Sequence, residues 1–110
     1  MRKNIGVEHQ PEVECRDVAF LAKALADENR LRIIQSLAAG KKSVSLIVKE
    51  VGISQPLASH HLKELKRALL VTVERSGPFI YYELTDQRII SILTDLNEIA
   101  ANLLANRTAF

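Results

Sequence analysis

The stretch Gly52-Ile53-Ser54-Gln55-Pro56-Leu57-Ala58-Ser59-His60-His61-Leu62-Lys63-Glu64-Leu65 constrains what this chain can fold into more than any other part of it. Gly52 suits a tight turn between two helices, because glycine reaches positive φ without a steric cost. Ser54 is a preferred N-cap, and Pro56 falls in the first helical turn, where its missing N–H leaves nothing unsatisfied. At about 100° per residue, Ala58, Leu62, Leu65 and Leu69 share one face and are expected to bury it. Pro56, Ser59, His60, Lys63 and Arg67 project to the opposite side. A short, polar, basic outer face behind a glycine turn is what a helix needs to read base edges between phosphates. The stretch therefore reads as the turn and second helix of a helix-turn-helix. Taken alone, it would also suit an ordinary amphipathic surface helix.

Charge separates the two readings. From Lys41 to Arg75 there are seven Lys or Arg (41, 42, 49, 63, 66, 67, 75) and three Glu (50, 64, 74), a local balance of +4. The rest of the chain carries eight basic and ten acidic residues, or −2, which together make the overall +2. Positive charge is concentrated on the helix-turn-helix segment, as contact with phosphates requires. At 110 residues the chain makes one small domain with a modest core, and with no Trp that core must be aliphatic. A single cysteine excludes an intramolecular disulfide and suits a reducing compartment. The N-terminus has no apolar signal-like run, and no segment approaches the roughly 18 apolar residues of a membrane span. The expectation is a soluble cytoplasmic protein without membrane contact.

Residues 1–14 lack helical periodicity and contain Pro11, and are read as an N-terminal tail; residues 15–110 are read as the folded domain. A helix is expected from about Cys15 to Ala26, with Val18, Leu21, Ala22 and Leu25 on one face. Asp27 can cap a second helix, Glu28 to about Ala39, stopped by Gly40. A third runs from about Val44 to Val51 and the fourth from Gln55 to about Ala68. The period then changes. Val71–Arg75 and Ile80–Leu84 are β-branched and aromatic runs around the turn Ser76-Gly77-Pro78-Phe79, which predicts a β-hairpin. Thr85 is placed to cap a last helix, Asp86 to about Ala105. The resulting class is mostly α with a β-hairpin wing (α+β), a winged helix-turn-helix ordered as four helices, two strands and a final helix.

The last helix carries Ile89, Ile92, Leu93, Leu96, Ile99, Ala100 and Leu103 in one stripe, with Ile90 and Leu104 beside it. A domain this small cannot cover all of it, and monomers rarely leave such a surface open. A two-fold homodimer would bury Val18 and Leu21 of the first helix with Ile89, Ile92, Leu93, Leu96, Ile99 and Leu103 of the last. The alternative is a last helix that only closes the monomer core.

Three segments, LADENRLRIIQSL (25–37), SQPLASHHLKEL (54–65) and ERSGPFIYYEL (74–84), resemble the ArsR/SmtB family of winged-helix repressors. The resemblance runs from about residue 17 to residue 100, and the first two segments are the more specific. It implies a homodimer that occupies an imperfect palindromic operator in double-stranded DNA over a promoter and is released by an inducer. Family DNA contacts carry over to Ser54, Gln55, Pro56, Ser59, His60 and Lys63, with Arg75 in the wing. Gln55 suits an adenine edge, Ser59 and His60 a base edge or phosphate, and Lys63 a phosphate. Leu57 departs from the small or polar residue usual there, and is placed either to touch a thymine methyl or to pack on a neighbouring helix. The wing is also less basic than in many relatives, with Phe79 near its tip.

The family's metal sites do not carry over. Ser43-Val44-Ser45 stands where one site has Cys-x-Cys, and hydroxyls are poor ligands for thiophilic ions. Asp86-Gln87-Arg88 and the positions from Ile99 to Asn102 stand where the other has its carboxylate and imidazoles. His60 and His61 are about 100° apart on a helix and cannot chelate one ion, so His61 is expected to be packed and hydrogen-bonded. Cys15 with His9 would be a weak thiol–imidazole pair in a tail, and no catalysis and no cofactor are expected; Cys15 is kept as a candidate thiol sensor. The functional expectation is a DNA-binding transcriptional regulator, a repressor that answers to a small-molecule inducer between the helices, to a partner, or to its own abundance. A protein-interaction module is the alternative, since fold does not fix function.

Overall fold

The computed structural model describes residues 12–107. Helix α1 spans Cys15–Leu25, α2 Glu28–Ser36, α3 Val44–Val51, α4 Gln55–Arg67 and α5 Arg88–Ala105. Strand β1 is Lys42–Ser43, β2 Val71–Ser76 and β3 Phe79–Leu84. The sheet is antiparallel in the order β1-β3-β2. The hairpin β2–β3 is the predicted wing, and the fold is a winged helix-turn-helix. β1 is an addition to the expected order. Its two residues pair with Tyr82 and Tyr81 and anchor the wing to the start of α3. Two residues are too few to show alternation, and Lys-Ser has no strand preference of its own.

The helix ends follow local chemistry. Asp27 Oδ1 accepts from the backbone N–H of Asn29 at 2.9 Å and of Arg30 at 3.1 Å, which caps α2. Ser43 and Ser54 do the same for α3 and α4, their hydroxyls accepting from Leu46 and Leu57 N–H. Gly52 ends α3 in the left-handed region at φ 76°, its N–H donating to the Val48 carbonyl. Thr85 is not the cap of α5. The helix begins two residues later than expected, so Gln87 takes that place without a side-chain capping bond, and Asp86 Oδ1 accepts from Arg88 N–H at 2.9 Å.

The largest departure from the helical pattern is Leu69, expected on the buried face of α4 but 74% exposed. α4 closes in a Schellman turn: Leu70 N–H donates to Leu65 O at 3.0 Å and Leu69 N–H to Lys66 O at 2.9 Å. The residue between must turn left-handed, and Leu69 does so at φ 65°. Its side chain is thrown outward while Leu70 and Leu65 fold into the core.

That core is formed by Ile33, Ile34 and Leu37 from α2 and the 3-10 turn after it, Ile47 of α3, Ala58, Leu62 and Leu65 of α4, and Val71 and Leu84 at the base of the wing. Each fully buried Leu or Ile contributes roughly 1.5–3 kcal/mol relative to exposure. No residue of α1 or α5 is buried. α5 reaches the core through its first two turns, where Ile89, Ile90 and Leu93 pack against it half-buried. No helix among the described residues is long and apolar enough to cross a membrane.

The strain at Leu69 can be measured. A left-handed non-glycine residue costs about 1–2 kcal/mol. Leu69→Gly and Leu69→Ala delete nearly the same contacts, so Leu69→Gly should be about 1 kcal/mol the more stable in urea unfolding. Equal midpoints would show that the turn is unstrained.

Candidate nucleic-acid interface

α4 is rotated so that one side is sealed and the other is free. Ala58, His61, Leu62 and Leu65 are buried. Ser54, Gln55, Pro56, Ser59, His60 and Lys63 are all exposed on a continuous outer face, with Leu57 at its margin. The Ser54 hydroxyl is already the N-cap acceptor, which leaves its proton free to donate. The two adjacent histidines diverge as helical geometry demands: His60 faces solvent and His61 is 5% exposed. His61 Nδ1 accepts from Arg30 Nε at 3.1 Å, so it is a packed, hydrogen-bonded histidine. Arg75 is exposed on β2, opposite Ile80 and next to the wing turn.

The structure sharpens the charge argument. Each of the three glutamates in the basic segment is taken by one of its seven bases: Glu50 by Lys42, Glu64 by Arg67 and Glu74 by Lys41. Lys49, Lys63, Lys66 and Arg75 have no carboxylate partner among the described residues. Their four charges are the +4 that the composition left over, and they flank or lie on α4 and the wing. Exposed ion pairs contribute little to stability, so the three pairs matter mainly in removing Arg67 and two lysines from the free cations.

The second candidate surface is apolar. Val18 and Leu21 on α1, and Ile92, Leu96, Ile99 and Leu103 on α5, are all exposed, Leu96 by 55%. Ile89 and Leu93 differ from the other six, since they lean on the core. Between α1, the turn at Leu69 and the start of α5 lies a groove of about 490 Å³ walled by Phe20, Leu21, Leu69, Ile89 and Ile92. Phe20 and Leu69 were not expected there. Phe20 sits off the single stripe read on α1, and its size was the only signal. Leu69 arrives through the left-handed turn.

The positions tested for metals hold no ligand set. Ser43 and Ser45 hydroxyls lie 3.2 Å apart, and Ser43 is committed to capping α3. Asp86 is gripped by Arg88 through two guanidinium nitrogens, at 3.1 Å (Nε–Oδ1) and 2.7 Å (Nη2–Oδ2). This hydrogen-bonded pairing lowers the Asp86 carboxyl to about 2. A cation there would have to displace Arg88. Among the described residues no three His, Cys, Asp or Glu side chains converge on one point. Cys15 is exposed at the first turn of α1, its Sγ 4.0 Å from the Val13 carbonyl; His9 lies outside the described residues.

Comparison with known proteins gives the lineage. Residues 27–73 match the bacterial regulatory protein, arsR family. The chain is 40% identical over 86 residues to the HTH-type transcriptional repressor SmtB of Mycobacterium tuberculosis, covering 77% of this chain and 64% of that protein. It is 35% identical over 82 residues to an HTH-type transcriptional regulator of Methanocaldococcus jannaschii, covering 74% of this chain and 92% of that one. Among solved structures, a homodimeric winged helix-turn-helix DNA-binding domain from Mycobacterium bovis superposes with a TM-score of 0.71 at 31% identity, covering 82% of this chain and 83% of that one. The family is one of regulators and not of enzymes. On sequence and fold together, the chain belongs to the ArsR family of winged-helix transcriptional regulators.

Proposed function

We propose that this chain is a homodimeric, sequence-specific DNA-binding repressor of the cytoplasm that occupies an inverted-repeat operator. The observation that carries the reading is the outer face of α4: every candidate base-reading residue on it is exposed, and uncompensated cations surround it. In this mechanism α4 lies in the major groove. Gln55, Ser59 and His60 meet base edges, while Lys63 and Arg75 meet phosphates. Two copies related by a two-fold axis place two such helices about one helical turn apart, and occupancy blocks the promoter. The dimer rests on α1 and α5, because neither helix buries a residue in a single chain. The groove beside Leu69 continues the stripe Ile92, Leu96, Ile99, Leu103, and a second copy would cover both. The M. bovis relative, a homodimer, supports this assignment. A winged helix used purely for protein pairing would have no reason to leave four free cations around α4.

The dimer is tested by Leu96→Glu, which places a carboxylate in the proposed apolar interface and should give monomers. Sedimentation of the wild type as a monomer at micromolar concentration would end the packing argument. Base reading is tested on an operator selected by the wild-type protein, with a scrambled duplex beside it. Gln55→Ala should cost about 1–3 kcal/mol on the operator and little on the scrambled duplex. Lys63→Ala should weaken both alike and flatten the salt slope by about one unit. If both variants lose equally on both duplexes, α4 is not in the groove as drawn; if the wild type shows no salt-dependent duplex binding, the protein-pairing reading takes over.

The inducer is proposed to be something other than a metal ion at the α3 or α5 positions, with Cys15 the remaining thiol. Operator binding titrated with zinc, nickel and arsenite should be unmoved in Cys15→Ser. Release by zinc or nickel in that variant would overturn the reading.

A further inference from the structure

His61 is the one buried polar residue of the described core, and it sits on the helix assigned to base reading. Its Nδ1 accepts from Arg30 Nε at 3.1 Å. The same guanidinium donates from Nη1 to the Ala24 carbonyl, at the end of α1, at 3.3 Å. On the other side of the ring, His61 Nε2 lies 3.7 Å from Asp27 Oδ1. Asp27 is the N-cap of α2 and is held there by Asn29 and Arg30 N–H. Its carboxyl stays below its ordinary value, chiefly through the Arg30 N–H. One side-chain cluster therefore ties together the recognition helix, the first turn of α2 and the end of the proposed dimer helix.

The donor pattern selects a protonation state. Arginine only donates, so Nδ1 must be the accepting nitrogen, and the proton sits on Nε2 toward Asp27. Protonating Nδ1 would set an N–H against an N–H and a positive ring against a guanidinium. Asp27 would still favour the ring, but the Arg30 bond would be lost. The charged or titratable groups set against His61 are Asp27 and Arg30 of α2 and His60 of its own helix, whose ring centroid is 5.3 Å away. α1 contributes a carbonyl through Arg30.

We propose that Arg30 and His61 are positioning residues, which set the pitch of α4 against α2 and the end of α1 so that operator affinity depends on the bond between them. The inference rests on the DNA-binding reading above, and it adds a coupling between the dimer helix and the reading face. Removing the bond should let α4 rock about its Leu62–Leu65 contacts. The correct set of base contacts is then lost, while phosphate attraction persists.

The test uses the full chain, a duplex of about 30 base pairs selected by the wild type, long enough for two half-sites, and a scrambled duplex of equal composition. Arg30→Met and His61→Leu keep bulk and remove the bond. Each should weaken selected-duplex binding about tenfold, the scale of a charged hydrogen bond, and leave the scrambled duplex within about twofold. The double variant should lose less than the sum of the two single losses, because the shared Arg30–His61 bond can be deleted only once. His61→Asn offers an acceptor in place of Nδ1 and should bind the selected duplex at near wild-type strength, whereas His61→Gln, whose amide follows Nε2 instead, should lose about tenfold. Equal losses on both duplexes, additive losses in the double variant, or equal binding by His61→Asn and His61→Gln would each overturn the proposal. Should Arg30→Met or His61→Leu fail to fold, the comparison of His61→Asn with His61→Gln decides alone. A wild type that selects no duplex would defeat the DNA-binding reading itself, a different result from a wild type that binds and variants that match it.

Discussion

The rotation of α4 about its own axis is set by apolar packing, and most of what this protein can do depends on it. Leu62 and Leu65 are driven against Ile33, Ile34, Leu37 and Ile47, and none of these side chains retains solvent exposure. A helix sealed along that side has one orientation open to its other residues. Gln55, Ser59, His60 and Lys63 are outside because the leucines are inside. Turning the helix by one residue, about 100°, would expose the leucines and bury a lysine, and each of those changes costs several kcal/mol. The packing term is larger than any single contact the outer face could make with DNA. The outer face of α4 is thus preformed by the core.

Electrostatics acts at a second level. The ion pairs Lys42–Glu50, Arg67–Glu64 and Lys41–Glu74 use up the negative charge of the basic segment locally. What remains free is distributed around α4 and the wing and is open to a polyanion. Such contacts give affinity without sequence preference, so under the proposed function specificity would come from the few polar side chains at the start of α4. The wing adds one free cation, Arg75, and is tipped by Phe79, so it holds a small share of that charge.

The two terminal helices carry the remaining tension. α1 reaches the core through Ala24 and Leu25 at its end, while its Val18 and Leu21, like the distal part of α5, are left exposed in one chain. Leu69 intensifies this, since its left-handed backbone presents a large apolar side chain to the same groove. Backbone strain and an exposed leucine at one residue are tolerable when a partner covers the side chain, and the proposed two-fold dimer would supply that partner at no cost in extra sequence.

Much of this was legible in order of residues alone. The caps Asp27 and Ser54, the turn at Gly52, the hairpin around Gly77 and the inward and outward faces of α4 all depend on neighbours within about one helical turn or one hairpin. Local rules suffice for such features, because the interacting groups are already adjacent in the chain. The same rules misplaced Leu69, overlooked β1 and put the α5 cap at Thr85. In each case a bond beyond the local pattern decided: the Leu65 and Lys66 carbonyls for Leu69, Tyr81 and Tyr82 for β1, and the Asp86 bond to Arg88 N–H for the later start of α5. The division of the α5 stripe was equally invisible, since Ile89 and Leu93 carry the same pattern as Ile92 and Leu96 and only the nearness of the core distinguishes them. The cluster of Asp27, Arg30 and His61 lies furthest from any local rule. Arg30 and His61 are 31 residues apart, and periodicity could say that His61 faced inward but not what it would meet there. The sequence alone determined which faces are apolar and which are charged. The tertiary structure decided which apolar faces are satisfied within one chain, because burial depends on what the rest of the chain brings into contact.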